Sequence, residues 1–459
     1  MPEKTVYILG AGASKTASLP TQAGILDLIF SIRFLEVKDA SEGDDFLSLK
    51  IDEKIEKIKA VYPLFDKDRQ DVGAFIVANF SSKDKINEYT TAIEYANNLQ
   101  ETDAAAVNQR EAFLFRAYDI AKSVSVSLED LFTIFDNVAA GREHFRLYSP
   151  DNMVRIHNQI KLCVIYALVF AIANSCDDTQ YKRFSKLLLL KRLAASQKDD
   201  VVSVITMNWD DVLEKTLFNT CKKYNARVSK KQQRAFLDLC FYDYSLGMEP
   251  DHIPSTHIKA KGNRNIKILK MHGSLGWLEC PKCGRIFTDF SREIAVEEYS
   301  GVNCPYCKTT GYLIGEDPIL RSLIITPTFI KSLENLNVKN IWHNACIDVS
   351  EASHLIFIGY SFPDADFEMR CLLKKAVRND ADILVVLNDS NDPQKYMEHL
   401  QSKGFGADEA KKYVDKMWLP EARYKSFFGE DKVKFDYSGF QGYLSKIGGL
   451  DDEEKTDEQ

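Results

Sequence analysis

Six short runs dominated by Val, Ile and Leu, centred on residues 6–9, 201–206, 266–271, 323–326, 355–359 and 383–387, are separated by segments of helical periodicity. Fully apolar strands that alternate with helices predict an α/β fold, in which helices cover both faces of a parallel sheet. The spacing is uneven. Nearly 200 residues separate the first run from the second, and this interval holds helical patterns at 107–121, at 127–138 with Ser127 as the cap, and at 153–173. The expected organisation is a parallel sheet covered on both faces, with a large helical insertion and a small zinc ribbon. Its segments are 1–34 (first strand and glycine loop), 35–199 (insertion), 200–276 (sheet continued), 277–312 (zinc ribbon), 313–450 (end of the sheet and C-terminal helices) and 451–459 (an acidic, disordered tail, DDEEKTDEQ).

Composition narrows the partners. The net charge of −8 over 459 residues repels polyanions and argues against nucleic-acid binding. A basic cluster at Lys222, Lys223, Arg227, Lys230, Lys231 and Arg234 lacks interleaved aromatics and is expected to be a solvated face. The longest apolar run, residues 162–173, falls short of the ~18 to 20 residues that cross a bilayer, so a buried helix and no membrane span are expected. With no signal-like N-terminus, the expected location is the cytoplasm. Ten cysteines are too few for a disulfide scaffold in a chain of this length. Four of them, Cys280, Cys283, Cys304 and Cys307, form two C-P-x-C pairs at zinc-ribbon spacing. Four thiolates would close a tetrahedral Zn²⁺ shell, which makes the metal structural.

The remaining chemistry gathers at strand ends, where open parallel sheets bind ligands. Gly10-Ala11-Gly12-Ala13-Ser14 follows the first run and reads either as a phosphate cradle or as a plain turn, since Lys15 replaces the third glycine of the full fingerprint. Thr206-Met207-Asn208-Trp209-Asp210 ends the second run; Asn208 could orient a sugar hydroxyl, or Asn208 and Asp210 could simply cap the next helix. Lys270-Met271-His272-Gly273-Ser274 ends the third. His272 is a candidate general base with an unperturbed pKa of ~6.5, and Gly273 is expected to leave room for substrate beside the ring. Gly359 and Ser361 after the fifth run, and Asn388 after the sixth, are either ligand contacts or turn residues.

In order, GAGAS, TMNWD, KMHGS, the two C-x₂-C pairs, IGYSF and VVLN resemble the sirtuin-like family of NAD⁺-consuming proteins, over the first ~30 residues and again over roughly 200 to 390. The resemblance implies that Gly10, Ala11, Gly12 and Ser14 hold a pyrophosphate, that Thr206, Gly359, Ser361 and Asn388 line the rest of a dinucleotide site, and that Asn208, Asp210 and His272 are catalytic. The implied fold is an α/β, Rossmann-like sheet with a small zinc module; NAD⁺ would be a substrate and Zn²⁺ a structural ion. The S-L-P-T and G-Y-S-F-x-D forms look like the branch that hydrolyses NAD⁺ in bacterial phage defence, whereas the cysteine pairs are usual in lysine deacylases. NAD⁺ hydrolysis to nicotinamide and ADP-ribose is therefore the leading expectation, in an effector that is gated by a regulatory partner or infection trigger and self-associates through its helices. Deacylation and non-catalytic binding of NAD or ADP-ribose are the alternatives.

Overall fold

The computed structural model describes residues 3–33, 46–99, 103–196, 199–228, 234–241, 243–246, 264–289, 294–309, 318–328, 335–416 and 419–447. The acidic tail, Lys230 and Lys231 lie outside them. Seven parallel strands form the main sheet in the order β11 (Val433–Asp436), β10 (Asp382–Val386), β9 (His354–Ile358), β1 (Thr5–Leu9), β2 (Val202–Thr206), β5 (Arg264–Lys270), β3 (Ala235–Asp238). Every residue of β1 and β2 is buried. Because successive side chains point to opposite faces, both faces of the sheet must be covered there, as the unbroken apolar runs imply.

Register brings the candidate site together. Leu9 pairs with Thr206 on one side and Ile358 on the other, Thr206 pairs with Lys270, and Ile358 with Val386. Four neighbouring strand ends are thereby level with that of β1, so the segments beginning at Gly10, Met207, Met271, Gly359 and Leu387 share one rim. The chain builds outward from β1 to β2 and β5 on one side and to β9 and β10 on the other, which makes the rim beside β1 the topological switch point.

Two expectations change. The run at 323–326 is not part of the parallel sheet: β8 (Arg321–Ile324) pairs antiparallel with β6 (Gly273–Glu279) in a four-stranded sheet, with β7 (Ile286–Thr288) and β4 (Asp243–Ser245) beyond it. A short apolar run signals a buried strand without specifying its sheet. The main sheet instead gains β3 and β11 at its edges, both of four residues and less uniformly apolar.

Among the described residues, the helices α1 (Ala11–Ser14) and α2 (Gln22–Ser31) follow β1, and six more precede β2: α3 (Phe46–Phe80), α4 (Lys83–Asn98), α5 (Ala104–Lys122), α6 (Leu128–Gly141), α7 (Pro150–Ser175) and α8 (Thr179–Ala194). Ser127 caps α6 as expected, its Oγ accepting from the Asp130 N–H at 3.0 Å. Over Pro150–Asn174, α7 is long and apolar enough to cross a membrane by length and composition, but 61% of its most apolar window is buried inside the protein, where it packs on α3. A fully buried cation pins α3 to its neighbours. Arg69 pairs with Asp66, donates to the Ile32 carbonyl at 2.7 Å and lies 4.0 Å over the Tyr118 ring. The core of this helical block also takes in Leu275 from β6, so the insertion is joined to the smaller sheet.

Later helices are α9 (Val212–Arg227), α10 (Pro305–Thr309), α11 (Leu336–Glu351), α12 (Phe367–Ala376), α13 (Pro393–Ser402), α14 (Ala407–Lys416), α15 (Pro420–Phe428) and α16 (Gly439–Ile447). At the opposite rim of the sheet, Lys4 contacts Asp348, Asp200 and Glu351 at 2.6, 2.7 and 2.9 Å. Lys267 shares the first two carboxylates, so ammonium groups occupy this acidic cluster.

Candidate active site

The glycines at the rim serve one another first. Gly359 has φ +61°, and a Cβ built on it would lie 2.1 Å from the Ala13 nitrogen and 2.3 Å from the Gly12 carbonyl carbon. A Cβ on Gly12 would lie 2.7 Å from the Gly359 oxygen, and one on Gly10 would lie 2.6 Å from Tyr360 Cα. The two loops are interlocked backbone to backbone, a closeness only glycine allows. The Gly12 N–H donates to Gly359 O at 2.8 Å and the Gly10 N–H to Ile358 O at 3.0 Å. Gly12 therefore spends its donor on protein, and its glycine character is explained by packing before any phosphate is invoked.

Ser14 is the hub of a buried network. Its Oγ donates to Asp210 Oδ2 at 2.7 Å, which leaves it to accept from Tyr181 Oη at 2.8 Å and Asn208 Nδ2 at 2.9 Å. One donor and two acceptor sites are all a hydroxyl has, so Ser14 organises the site rather than offering itself to a pyrophosphate. Asp210 accepts from the Val212 N–H at 3.3 Å with its other oxygen, a turn bond just ahead of α9, whose N-cap is Asp211 and carries no side-chain capping bond. Burial pushes the Tyr181 phenol well above its ordinary range, with the Asp210 charge acting in the same direction, so the hydroxyl keeps its proton.

Asn208 Nδ2 also donates to Gly10 O at 3.0 Å. A carbonyl can only accept, so the amide's orientation follows from its partners. Its Oδ1 is a buried acceptor without a hydrogen-bond partner, on a residue that lines the cavity described below. Such an atom suits a hydroxyl donor from a ligand. Thr206 lies outside the cavity wall; its Oγ1 accepts from the Asn208 N–H at 3.1 Å and so supports the neighbouring turn from below.

His272 follows β5 with only 5% of its surface exposed, and its carbonyl accepts from the Ile325 N–H at 2.9 Å. The expectation that Gly273 clears space for substrate is corrected. With φ +78°, its Cβ direction points into the Leu323 carbonyl oxygen at 1.9 Å, so glycine is required there by β8. His272 Nε2 lies 3.7 Å from Asp366 Oδ1, and Asp366 Oδ2 accepts from the Tyr360 hydroxyl at 2.7 Å.

These residues surround a cavity of about 970 Å³ whose wall includes Gly10, Ala11, Gly12, Ser14, Asn208, Asp210, His272, Gly359, Ser361 and Asn388. The insertion supplies the facing wall, through Ile76, Leu168 and the α5–α6 connection at 124–127. Gln22 Nε2 donates to Glu129 Oε1 at 2.9 Å and ties α2 to α6 at this wall. Sequence reasoning overlooked Tyr181, which belongs to the insertion, and Asp366, two residues beyond the Gly359–Asp364 stretch. An acidic residue just before a helical pattern was the available signal for Asp366.

The four paired cysteines also converge. Cys280 and Cys307 sulfurs are 3.8 Å apart, Cys283 and Cys304 3.9 Å, and all four lie within 4.8 Å of one another. A tetrahedron with Zn–S of about 2.3 Å has edges of about 3.8 Å, so the donor set fits zinc. Burial acts to raise the Cys283 thiol, but hydrogen bonds from Arg285 hold it down to about 7, nearer the thiolate a metal needs. The Cys283 and Cys307 N–H groups point at the preceding cysteine sulfurs at 3.5 Å.

No curated protein matches the sequence. Solved structures resembling it include a Sir2 homologue mutant with ADP-ribose (14% identity over 84% of this chain and 81% of that one, TM-score 0.30). Another is a Sir2 homologue–NAD complex (12%, 84% and 78%, TM-score 0.29), and a third is Sir2Tm bound to a propionylated peptide (13%, 83% and 80%, TM-score 0.27). Residues 202–407 match the SIR2-like domain model, a span that takes in Asn208, His272, the four cysteines, Gly359, Asp366 and Asn388 and leaves the glycine loop and the insertion outside.

Proposed function

We propose that the chain is an NAD⁺ glycohydrolase that cleaves the nicotinamide–ribose bond to give nicotinamide and ADP-ribose. The observation that carries this reading is the buried, unpartnered Asn208 Oδ1 on the same cavity wall as His272. Nicotinamide leaves as a neutral molecule from a cationic linkage and takes the bonding electrons with it, so no strong general acid is needed. Asn208 accepts a hydrogen bond from a ribose hydroxyl or from the attacking water, and His272 takes the proton that water loses. Asp210, kept in place by Ser14, contributes negative charge near the developing oxocarbenium. Zinc, held by the four cysteines, would supply folding stability to the smaller sheet and no chemistry.

In this reading the protein is a cytoplasmic effector of antiphage defence that depletes NAD⁺. Its S-L-P-T and G-Y-S-F-x-D forms and its helical insertion motivate that assignment. Unchecked hydrolysis would be toxic, so we expect gating by a regulatory partner or infection trigger and self-association through the insertion, without membrane or nucleic-acid partners. The cysteine cluster favours lysine deacylation as the second reading, since the resemblance associates paired cysteines with deacylases. Incubation with NAD⁺ alone separates the two. Hydrolysis releases nicotinamide and ADP-ribose in equal amounts and is abolished by His272→Ala and Asn208→Ala with the fold retained; release that requires an acylated peptide overturns it. Tight ADP-ribose binding without turnover would leave the non-catalytic alternative.

A further inference from the structure

Asp366 occupies the N-cap position of α12, where an aspartate ordinarily accepts from the helix's first N–H groups, yet its side chain makes no capping bond. The carboxylate is turned toward the cavity instead, 5% exposed, with one oxygen on the Tyr360 hydroxyl and the other 3.7 Å from His272 Nε2. Tyr360 is a rigid anchor. It is 3% exposed, its carbonyl accepts from Tyr424 Oη at 3.0 Å, and its Cα sits against Gly10 in the glycine interlock. Burial, reinforced by the adjacent Asp366 charge, holds the Tyr360 phenol well above its ordinary range, so it remains a donor. The N-terminus of the ten-residue α12 adds a positive dipole end that favours an ionised carboxylate.

We propose that Asp366 is the positioning residue of the hydrolytic reaction, orienting the His272 ring and stabilising the imidazolium that forms when the ring takes the proton of the attacking water. This rests on the hydrolase reading of the site. The water oxygen bonds to the ribose anomeric carbon as the carbon–nitrogen bond breaks toward nicotinamide; the proton passes to His272 and then to solvent. A separation of 3.7 Å is longer than a hydrogen bond, so the pair is an ionic contact that strengthens once the ring is charged. The carboxylate thus acts on the proton-accepting step and little on ground-state binding. Other charges on the cavity wall are Asp210 from the β2 end, Asp364 from the β9 loop, Lys15 from the β1 loop, Asp27 from α2, Lys122 and Glu129 from the insertion and Arg423 from α15. Among the described residues, Asp366 is the one with a carboxylate within 4 Å of the imidazole.

The test uses Asp366→Asn and Asp366→Glu in the full chain, read by NAD⁺ turnover, ADP-ribose binding and NMR titration of the histidine ring protons. Asp366→Asn should lower kcat at least about tenfold, with KM and the ADP-ribose Kd within about threefold of wild type. Asp366→Glu should recover part of the loss. The His272 titration midpoint should fall by about one pH unit in Asp366→Asn, as expected when an opposite charge within about 4 Å is removed. A parallel loss of ADP-ribose binding, or an unmoved His272 midpoint, overturns the proposal in favour of a purely structural N-cap. A wild-type protein silent toward NAD⁺ overturns the hydrolytic reading and the catalytic half of this proposal with it, while the midpoint shift separately decides whether the pair exists.

Discussion

Replacing Gly359 by alanine tests whether the interlocked loops build the site. Two costs are separable. An alanine at φ +61° carries left-handed strain of about 1–2 kcal/mol. Its Cβ would also stand 2.1 Å from the Ala13 nitrogen and 2.3 Å from the Gly12 carbonyl carbon. Both are backbone atoms, so no rotamer change relieves the clash; one loop must retreat by about 1 Å, at an overpacking cost of about 1–3 kcal/mol. The sum is about 2–5 kcal/mol, and the retreat moves Gly10 O and Ser14 away from the Asn208 amide. Gly404 is the control: it also has positive φ, +97°, but no atom lies within 4 Å of a Cβ there. Gly404→Ala should therefore cost the strain alone and leave NAD⁺ turnover untouched. Denaturation curves and nicotinamide release for both variants decide the matter. Equal destabilisation of the two, with turnover intact in Gly359→Ala, would show that the loops tolerate separation and that the interlock does not shape the site.

Two further outcomes follow from titrating and metal-binding groups. Burial, assisted by Lys161 one turn away, pushes His157 down to about 4, where its ring stacks on Phe135 at 5.5 Å. A histidine with a depressed folded pKa contributes stability that is fully present above the unfolded value of about 6.5 and is lost as pH falls toward 4, here up to about 3 kcal/mol. Unfolding free energy of the wild type should thus decline more steeply from pH 6.5 to 4 than that of His157→Gln, and parallel curves would contradict this. Purified protein should carry one zinc per chain by elemental analysis. Cys283→Ser should lose it and expose 280–307 to proteolysis, whereas a metal-free, protease-resistant wild type would argue that the four thiols are only buried neighbours.

What the sequence made legible was what local pattern controls. Five of the six apolar runs became neighbouring strands of one parallel sheet, because full burial on both faces demands such runs, and equal strand ends then brought Gly10, Asn208, His272, Gly359 and Asn388 to one rim. The remaining run, 323–326, falls in the other sheet because its sheet is chosen by a partner, Gly273 on β6, that lies some 50 residues earlier in the chain. Gly273 is expected to open space for substrate, and Gly12 and Gly359 either to contact a ligand or simply to turn the chain, whereas all three are first of all contacts between protein backbones. That distinction cannot be drawn until the opposing loop is placed. Ser14 illustrates the same limit: its motif position suggests phosphate, and only the arrival of Tyr181 and Asn208 shows its hydroxyl to be fully used.

This saturation also accounts for why the glycine loop and the Asn208 turn must act as one unit. Gly10 O and Ser14 Oγ fix the two amide hydrogens of Asn208, and Gly359 and Tyr360 fix the loop that carries Gly10. The direction of Asn208 Oδ1 is thus set by β1, β2 and β9 together. Asp366 is anchored to the same interlock through Tyr360, so the Asn208 acceptor and the imidazole are referenced to a common backbone junction. Preorganisation of this kind stabilises a developing charge without rearrangement at the moment of reaction. It also means that removing Ser14 should disorder Asn208 as much as it disturbs Asp210, and Ser14→Ala is for that reason expected to behave as an Asn208 variant in turnover even though alanine would clash with nothing.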